Sequence, residues 1–504
     1  VALALFLSFL VPWGVLLGWI REVSVAGWPV AVVYSALYMP LVALLVRGVS
    51  RQWLFSRVPL AVTAAVVWTA LEYVRAEVVF DAWPFYLAAH GVYPTWLIQY
   101  ASVGGVWLVS FLVVLLSVGL WGILLGCAQR RATIVWMLLC LCLPWMPIVL
   151  GYLLNGPYQV RPGPALRMLC VQTNLPQSNK IGWSQQQQAQ DVQGFIAQTL
   201  EGLAAIDPQD GPVDLVVWPE TMVPGLGFDH GTREVLERLG PSASHLARWP
   251  QAIEAAAART GIPWLVGSPT WLDLTLDEDG FLQSETRFNS AVLVAPDGGL
   301  QRYDKVFLTP FGETMPWIRA WPWLESLLMD LGASGLHFDL QQGDAPVALS
   351  IETETQWNKW TTRLVTPICF EDAVPSVVRR LVLETDADII VTLCNDGWFG
   401  RDDAGRRAHE IAAAFRTIEL ERPLVRVANT GFTSLINQYG RIVSRLDAQI
   451  QGTLLVQAHS SRWWSPTTYA RFGNWFPWTM LGLTLVGVIL RIVRGPSKPM
   501  EGAA

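Results

Sequence analysis

Six stretches of the chain carry almost nothing but apolar side chains. Five of them open the sequence, at residues 1–20, 28–46, 58–71, 106–127 and 133–153, and a sixth lies near its end, at 478–490. A membrane-crossing helix needs about 20 apolar residues, so the third and sixth runs are short and must draw on their flanks. The runs are clustered, edged by Trp and nearly free of charge, which predicts transmembrane helices in preference to core helices of a soluble protein. Between them the pattern changes. Apolar runs of strand length, at 165–172, 214–218, 264–267, 289–295, 364–368, 388–393 and 424–428, alternate with segments of helical period at 184–205, 247–260, 374–383 and 404–420. Pro296-Asp297-Gly298-Gly299 predicts a turn between two strands. The pattern predicts a polytopic α-helical membrane domain over 1–155, an α/β domain over 156–474, and a C-terminal transmembrane helix with its tail over 475–504.

Composition localises that division. Of the 504 residues 52% are hydrophobic and 15% charged, and 26 are Trp, against about 25% charged in soluble domains. Seven Arg, no Lys and four acidic residues precede Gly156, although the whole chain holds 35 basic and 41 acidic residues. The basic loops set an orientation: Arg47, Arg51 and Arg57, then Arg130 and Arg131, then Arg491, Arg494 and Lys498 fall on one side if every run spans. The positive-inside rule makes that side cytoplasmic and puts 156–474 outside it. The net charge of −6 argues against a nucleic-acid partner. There is no phosphate-cradling glycine loop, and His409-Glu410 lacks a second His at metal-binding spacing, so no cofactor or metal is expected. The first residue lies inside an apolar run, without Met or a basic leader, and reads as a fragment or a misassigned start.

Three segments end an apolar strand with a reactive side chain: Val216-Val217-Trp218-Pro219-Glu220, Tyr303-Asp304-Lys305 and Pro367-Ile368-Cys369-Phe370-Glu371. Strand ends are where side chains of an α/β fold reach a shared crevice. A thiol becomes a nucleophile as thiolate, a carboxylate takes its proton and returns it to a leaving group, and an ammonium stabilises an oxyanion together with the backbone N–H after the nucleophile. Each signal alone is weak, because a Glu after Pro is most often a solvated turn residue and a buried Cys usually a small hydrophobe. Cys394 also ends a strand and competes with Cys369 for the nucleophile's place. Cys170, Cys369 and Cys394 are an odd number, so they cannot all pair within the block.

In this order and spacing the three segments resemble the nitrilase superfamily, whose Glu-Lys-Cys triad sits in an α-β-β-α sandwich. With membrane helices on both sides, the nearest branch is the bacterial apolipoprotein N-acyltransferase family. Residues 171–177 (Val-Gln-Thr-Asn-Leu-Pro-Gln), 310–313 (Pro-Phe-Gly-Glu), 395–400 (Asn-Asp-Gly-Trp-Phe-Gly) and 421–424 (Glu-Arg-Pro-Leu) carry the resemblance along the block. Tyr469-Ala470-Arg471 and Gly473-Asn474-Trp475 carry it into the last helix. The resemblance implies Glu220 as general base, Lys305 as oxyanion stabiliser and Cys369 as nucleophile, with Cys394 set aside. It implies that Glu371 and Glu313 support Lys305 and the site, and that Trp183 lies on a substrate-gating segment. It also implies a membrane phospholipid as acyl donor, a diacylglyceryl-modified lipoprotein as acceptor, a thioester intermediate and residence in the bacterial inner membrane. Two departures stand out: Phe370 replaces a Tyr found in some members, and two of the family's membrane helices have no counterpart ahead of residue 1. Residues 316–328, with Trp317, Trp321 and Trp323, are expected to form an interfacial arm or a locally packed loop. The competing readings are a membrane-anchored amidase that transfers its acyl group to water, and a transporter or scaffold whose soluble block only binds ligand.

Overall fold

The computed structural model describes residues 1–52, 54, 55, 57–126, 130–142, 145, 164–176, 182–240, 243–276, 282–284, 286–314, 340–354, 359–400, 402–460 and 466–494. The 316–328 segment lies outside them. The chain divides into two compact units, Val1–Val160 with Pro466–Ala504, and Arg161–Ser465.

The first unit is helical: α1 (Ala2–Leu16), α2 (Gly27–Val49), α3 (Leu60–Tyr73), α4 (Ala101–Leu124), α5 (Arg130–Cys142) and a C-terminal helix, Trp475–Arg494. Among the described residues three segments are long and apolar enough to cross a membrane: Gly27–Val49, Trp96–Leu124 and Trp475–Val493. The short sixth run therefore belongs to a longer helix. The third run remains short, as a 14-residue helix. Helix α3 is buried around most of its girth, on Ala61, Ala64, Ala65, Val67 and Ala70, and its small side chains let α2, α4 and the C-terminal helix approach closely. The outward faces of the unit stay apolar, with Leu7, Val15, Leu44, Leu124 and Ile492 exposed, a surface suited to lipid. Helix α4 breaks at Gly104 and Gly105. At Gly105 (φ +69°) a Cβ would come within 2.7 Å of the Tyr469 ring, so glycine satisfies both the left-handed turn and the close approach.

The second unit holds two six-stranded sheets. The first runs in the order β14-β1-β2-β3-β6-β7: Gly452–His459, Ala165–Gln172, Leu215–Val217, Trp264–Leu272, Thr286–Val294 and Leu300–Asp304. The second runs β13-β12-β11-β10-β9-β8: Ile442–Leu446, Thr433–Ile436, Leu424–Ala428, Ile389–Cys394, Lys359–Val365 and Leu349–Glu354. A two-stranded ribbon, β4 (Thr275–Leu276) with β5 (Leu282–Gln283), stands apart. In each sheet the central strands are parallel and the outer ones antiparallel. Parallel strands are covered on both faces, and β10 and β11 accordingly have no exposed position. Helices α6 (Gln185–Ala204) and α8 (Arg248–Thr260) cover the first sheet through Val192, Phe195, Trp249 and Ile253 packed on Trp218 and Trp264. Between them lies the short α7 (His230–Arg238). Helices α9 (Pro375–Thr385) and α10 (Asp403–Leu420) cover the second sheet, and β1 meets β11 between the sheets, giving an α-β-β-α sandwich.

Local chemistry sets the helix ends. Ser184 and Gln187 form a capping box at α6, Asp402 caps α10 by accepting from the Ala404 N–H, and Pro375 starts α9. Strands β1 and β11 span the residues the apolar pattern marked. Strands β7, β8 and β12–β14 and helix α7 are additional to that pattern. Pro296-Asp297-Gly298-Gly299 does turn β6 into β7, with Gly298 at φ +89° and the Gly299 N–H donating to Asp297 Oδ1.

Candidate active site

Strand ends deliver the three predicted groups. Glu220 follows β2 by three residues, Lys305 directly follows β7, and Cys369 follows β9 at the start of a single 3-10 turn, Cys369–Ala373. Cys369 has φ +53°, a left-handed conformation that costs a residue with a side chain of order 1 kcal/mol or more. The turn is held from outside. Glu371 Oε2 accepts from the Ile368 N–H (2.7 Å), while Oε1 accepts from the Val306 and Phe307 N–H groups (2.9 Å each). The Tyr303 hydroxyl donates to the same carboxyl at 2.9 Å. Glu371 thus ties the Cys369 turn to the loop after Lys305 through main-chain hydrogen bonds. Burial pushes its carboxyl up to about 7, against the pull of Lys305 and the donors.

Lys305 is 1% exposed and donates to Glu313 Oε2 at 2.6 Å and Thr309 Oγ1 at 3.1 Å. Burial pushes its ammonium down, but Glu313, Glu220 and Cys369 outweigh burial and hold it above its ordinary value. Burial likewise raises Glu313, and Lys305 more than reverses that. Asn289, from β6, bridges the two carboxyls by donating from Nδ2 to Glu220 Oε1 (2.7 Å) and Glu313 Oε1 (3.1 Å). Behind Glu220 runs Gly267, where a Cβ would stand 2.4 Å from Thr221 N and 2.6 Å from Glu220 Cα. The main chain bearing the carboxylate fits against β3 because that position has no side chain.

The Cys369 thiol is raised well above its ordinary value by burial and by Glu220, while Lys305 opposes them. Those couplings place Glu220, Lys305 and Cys369 in one electrostatic environment. A thiol held protonated beside a carboxylate has its proton acceptor at hand. The rival thiol, Cys394, is fully buried at the end of β10, with its Sγ 3.0 Å from Arg426, and burial raises it too. Cys369 is only partly buried, and Cys170, Cys369 and Cys394 are all unpaired thiols. Phe370 is buried and stacks on Phe307 at 6.3 Å. Trp183 stands elsewhere, at the entry to α6. Its indole N–H donates to Asp191 (2.8 Å) and its ring packs on the core of the first sheet.

A second buried cluster, which the sequence reading did not anticipate, lies against the main chain of Cys369. Arg426 donates to Asp372 Oδ2 (2.9 Å) and Asp396 Oδ2 (2.6 Å). His409 Nδ1 is 3.1 Å from Asp396 Oδ1, and its Nε2 is 2.8 Å from Asp372 Oδ1 and 3.3 Å from the Cys369 carbonyl oxygen. Asp372, Cys394 and His409 together have the spacing of a metal site. The guanidinium of Arg426 already contacts all three, so a cation is built into the cluster. One signal in the sequence points here: Arg426 interrupts the apolar run Leu424-Val425-Arg426-Val427-Ala428.

Comparison with known proteins gives the family. Residues 179–464 match the carbon-nitrogen hydrolase family, and residues 1–119 match the apolipoprotein N-acyltransferase N-terminal domain. An apolipoprotein N-acyltransferase of Geobacter metallireducens (strain ATCC 53774 / DSM 7210 / GS-15) is 29% identical over 465 residues, covering 92% of this chain and 79% of that protein. One from Azotobacter vinelandii (strain DJ / ATCC BAA-1303) is 29% identical over 471 residues, covering 90% and 80%. One from Pseudomonas aeruginosa (strain PAO1) is 27% identical over 487 residues, covering 93% and 84%. The chain belongs to the carbon-nitrogen hydrolase family, with an apolipoprotein N-acyltransferase N-terminal helical domain ahead of its α-β-β-α sandwich.

Proposed function

We propose that this chain N-acylates the diacylglyceryl-modified N-terminal cysteine of bacterial lipoproteins, using a membrane phospholipid as acyl donor and Cys369 as the acyl carrier. The observation that carries the reading is the coupled buried set of Glu220, Lys305 and a partly exposed Cys369. Cys369 sulfur attacks the phospholipid ester carbonyl as its proton passes to Glu220. Lys305 and the main-chain N–H after the nucleophile stabilise the oxyanion. The ester C–O bond breaks, Glu220 returns the proton to the leaving oxygen, and a thioester and a lysophospholipid result. The lipoprotein's α-amine then attacks the thioester, losing a proton to Glu220, and the C–S bond breaks to leave an amide and the restored thiol. Glu313 and Asn289 orient Lys305 and Glu220, Glu371 holds the two loops that bear Lys305 and Cys369, and Phe370 packs beside the site. Trp183 belongs to a segment that gates substrate.

A membrane setting suits this chemistry. Extracting an acyl chain of ~16 carbons from lipid costs over ~10 kcal/mol at about 0.8 kcal/mol per CH₂. The apolar helices keep the enzyme in the phase where both substrates keep their chains. The basic loops support an orientation with residues 156–474 on the outer side of the inner membrane. Mass spectrometry of the full chain after incubation with phospholipid tests the reading. The expected result is a thioester on Cys369, present in C394A and missing from C369A, which a diacylglyceryl peptide discharges as its N-acyl product. Discharge only as free fatty acid makes the protein a hydrolase, and no adduct with intact phospholipid overturns the proposal.

A further inference from the structure

The second buried cluster does not touch the reacting atoms, yet it meets the nucleophile's main chain. His409 is 1% exposed and stands on α10. Around it are Asp372 on the Cys369–Ala373 turn, Asp396 after β10, Arg426 on β11 and the ring of Phe399. Its Nε2 lies 2.8 Å from Asp372 Oδ1 and 3.3 Å from the Cys369 carbonyl oxygen, so the turn presents it with a carboxylate and a carbonyl together. Both only accept, so this nitrogen carries a proton. At Nδ1 two partners compete, the carboxylate of Asp396 at 3.1 Å and the guanidinium of Arg426 at 3.0 Å. Only the imidazolium donates from both nitrogens and meets carboxylate and carbonyl together. Burial pushes His409 down, but Asp372 and Asp396 outweigh both burial and Arg426 and raise it to about 9.

The Cys369 carbonyl shares its peptide plane with the Phe370 N–H. In a planar trans peptide the two point in opposite directions, so holding one aims the other. Drawing electron density toward the carbonyl oxygen also makes the N–H a better donor. We infer that His409 is a positioning residue: by binding the Cys369 carbonyl it holds the nucleophile in its left-handed turn and aims the Phe370 N–H at the developing oxyanion. This rests on the acyl-transfer reading above. It assigns Asp372, Asp396 and Arg426 the task of keeping that imidazole charged and in place.

Two substitutions separate this role from simple packing. Asn reaches the position of Nδ1 and keeps the Asp396 contact, whereas Gln reaches the position of Nε2 and keeps a donor for the carbonyl. Two reactions are followed at Cys369 in the full-length protein: acylation by phospholipid and by an activated p-nitrophenyl ester, and alkylation by iodoacetamide, which forms no oxyanion. In H409N, acylation is expected to fall roughly 30-fold or more, less than the ~10²–10³ for deleting an oxyanion donor outright. Alkylation is expected to stay within about 3-fold of wild type, and H409Q to recover acylation to within about 5-fold. Equal losses of acylation in H409N and H409Q, equal losses of both reactions in H409N, or no loss at all overturn the inference. Wild-type protein that reacts with the activated ester but not with phospholipid sinks the lipid reading and leaves the role of His409 measurable.

Discussion

Two buried charge clusters act on Cys369, and they differ in one elementary respect. The front cluster sets one cation, Lys305, among three carboxyl groups, Glu220, Glu313 and Glu371. The rear cluster pairs two cations, Arg426 and His409, with two carboxylates, Asp372 and Asp396. The front therefore holds carboxyl groups in excess of cations, which is what a site needs to accept a proton. The rear is balanced, and it gains nothing by exchanging protons near neutral pH. A buried group used for chemistry is left unsatisfied in charge, while a buried group used for support is closed.

The largest test of this contrast is Glu220→Gln. It keeps an acceptor for Asn289 and removes a spare charge. Thioester formation should fall about 10²–10⁴-fold with little change in thermal stability, and a loss under tenfold would put the proton acceptor elsewhere. Next comes Arg426→Met, which leaves two buried carboxylates facing one imidazolium. The expected cost is about 3–5 kcal/mol, read as a fall in Tm of several degrees. A variant as stable as wild type would mean the rear cluster does not need its balance.

A pH titration of stability sharpens the comparison further. His409 is raised from 6.5 to about 9 in the fold, so its contribution is complete below pH 6.5 and is lost as pH rises through about 9. For a fully buried group that is on the order of 3 kcal/mol, and H409N should flatten this limb. Glu371, on the front side, is raised from 4.5 to about 7, so stability also declines as pH rises from 4.5 through 7. That lower limb should survive in H409N and vanish in Glu371→Gln. One decline that responds to both substitutions would merge the two clusters into one.

The two clusters were also unequally legible. Glu220 and Cys369 each close an apolar run and Lys305 follows a strand directly, and a reactive residue at a strand end is a local signal. Asp372, Asp396, His409 and Arg426 are spread over 55 positions and come together only when β9, β10 and β11 pair and α10 packs on them. Singly they read as solvated polar residues. The fold shows the same division. Buried strands such as β1 and β11 stand out as apolar runs, whereas β13 carries an alternating, partly exposed pattern and β7 the polar run Leu-Gln-Arg-Tyr-Asp. Edge strands are specified by their neighbours more than by their own composition. The third apolar run is short in the structure too, a 14-residue helix, and its alanine-rich burial among other helices was not legible from hydropathy alone.

Gly267 has a consequence for reading sequence variants. It bears no functional group, and an Ala there would scan as the mildest of replacements. Its Cβ, however, would collide with the main chain at Pro219, Glu220 and Thr221, which is backbone and cannot swing aside. A protein with the full set of reactive side chains and alanine at this one position would express as a sandwich with Glu220 displaced. Functional competence in this chain is thus encoded partly by an omitted methyl group, and inspecting the reactive residues alone would pass such a variant as sound.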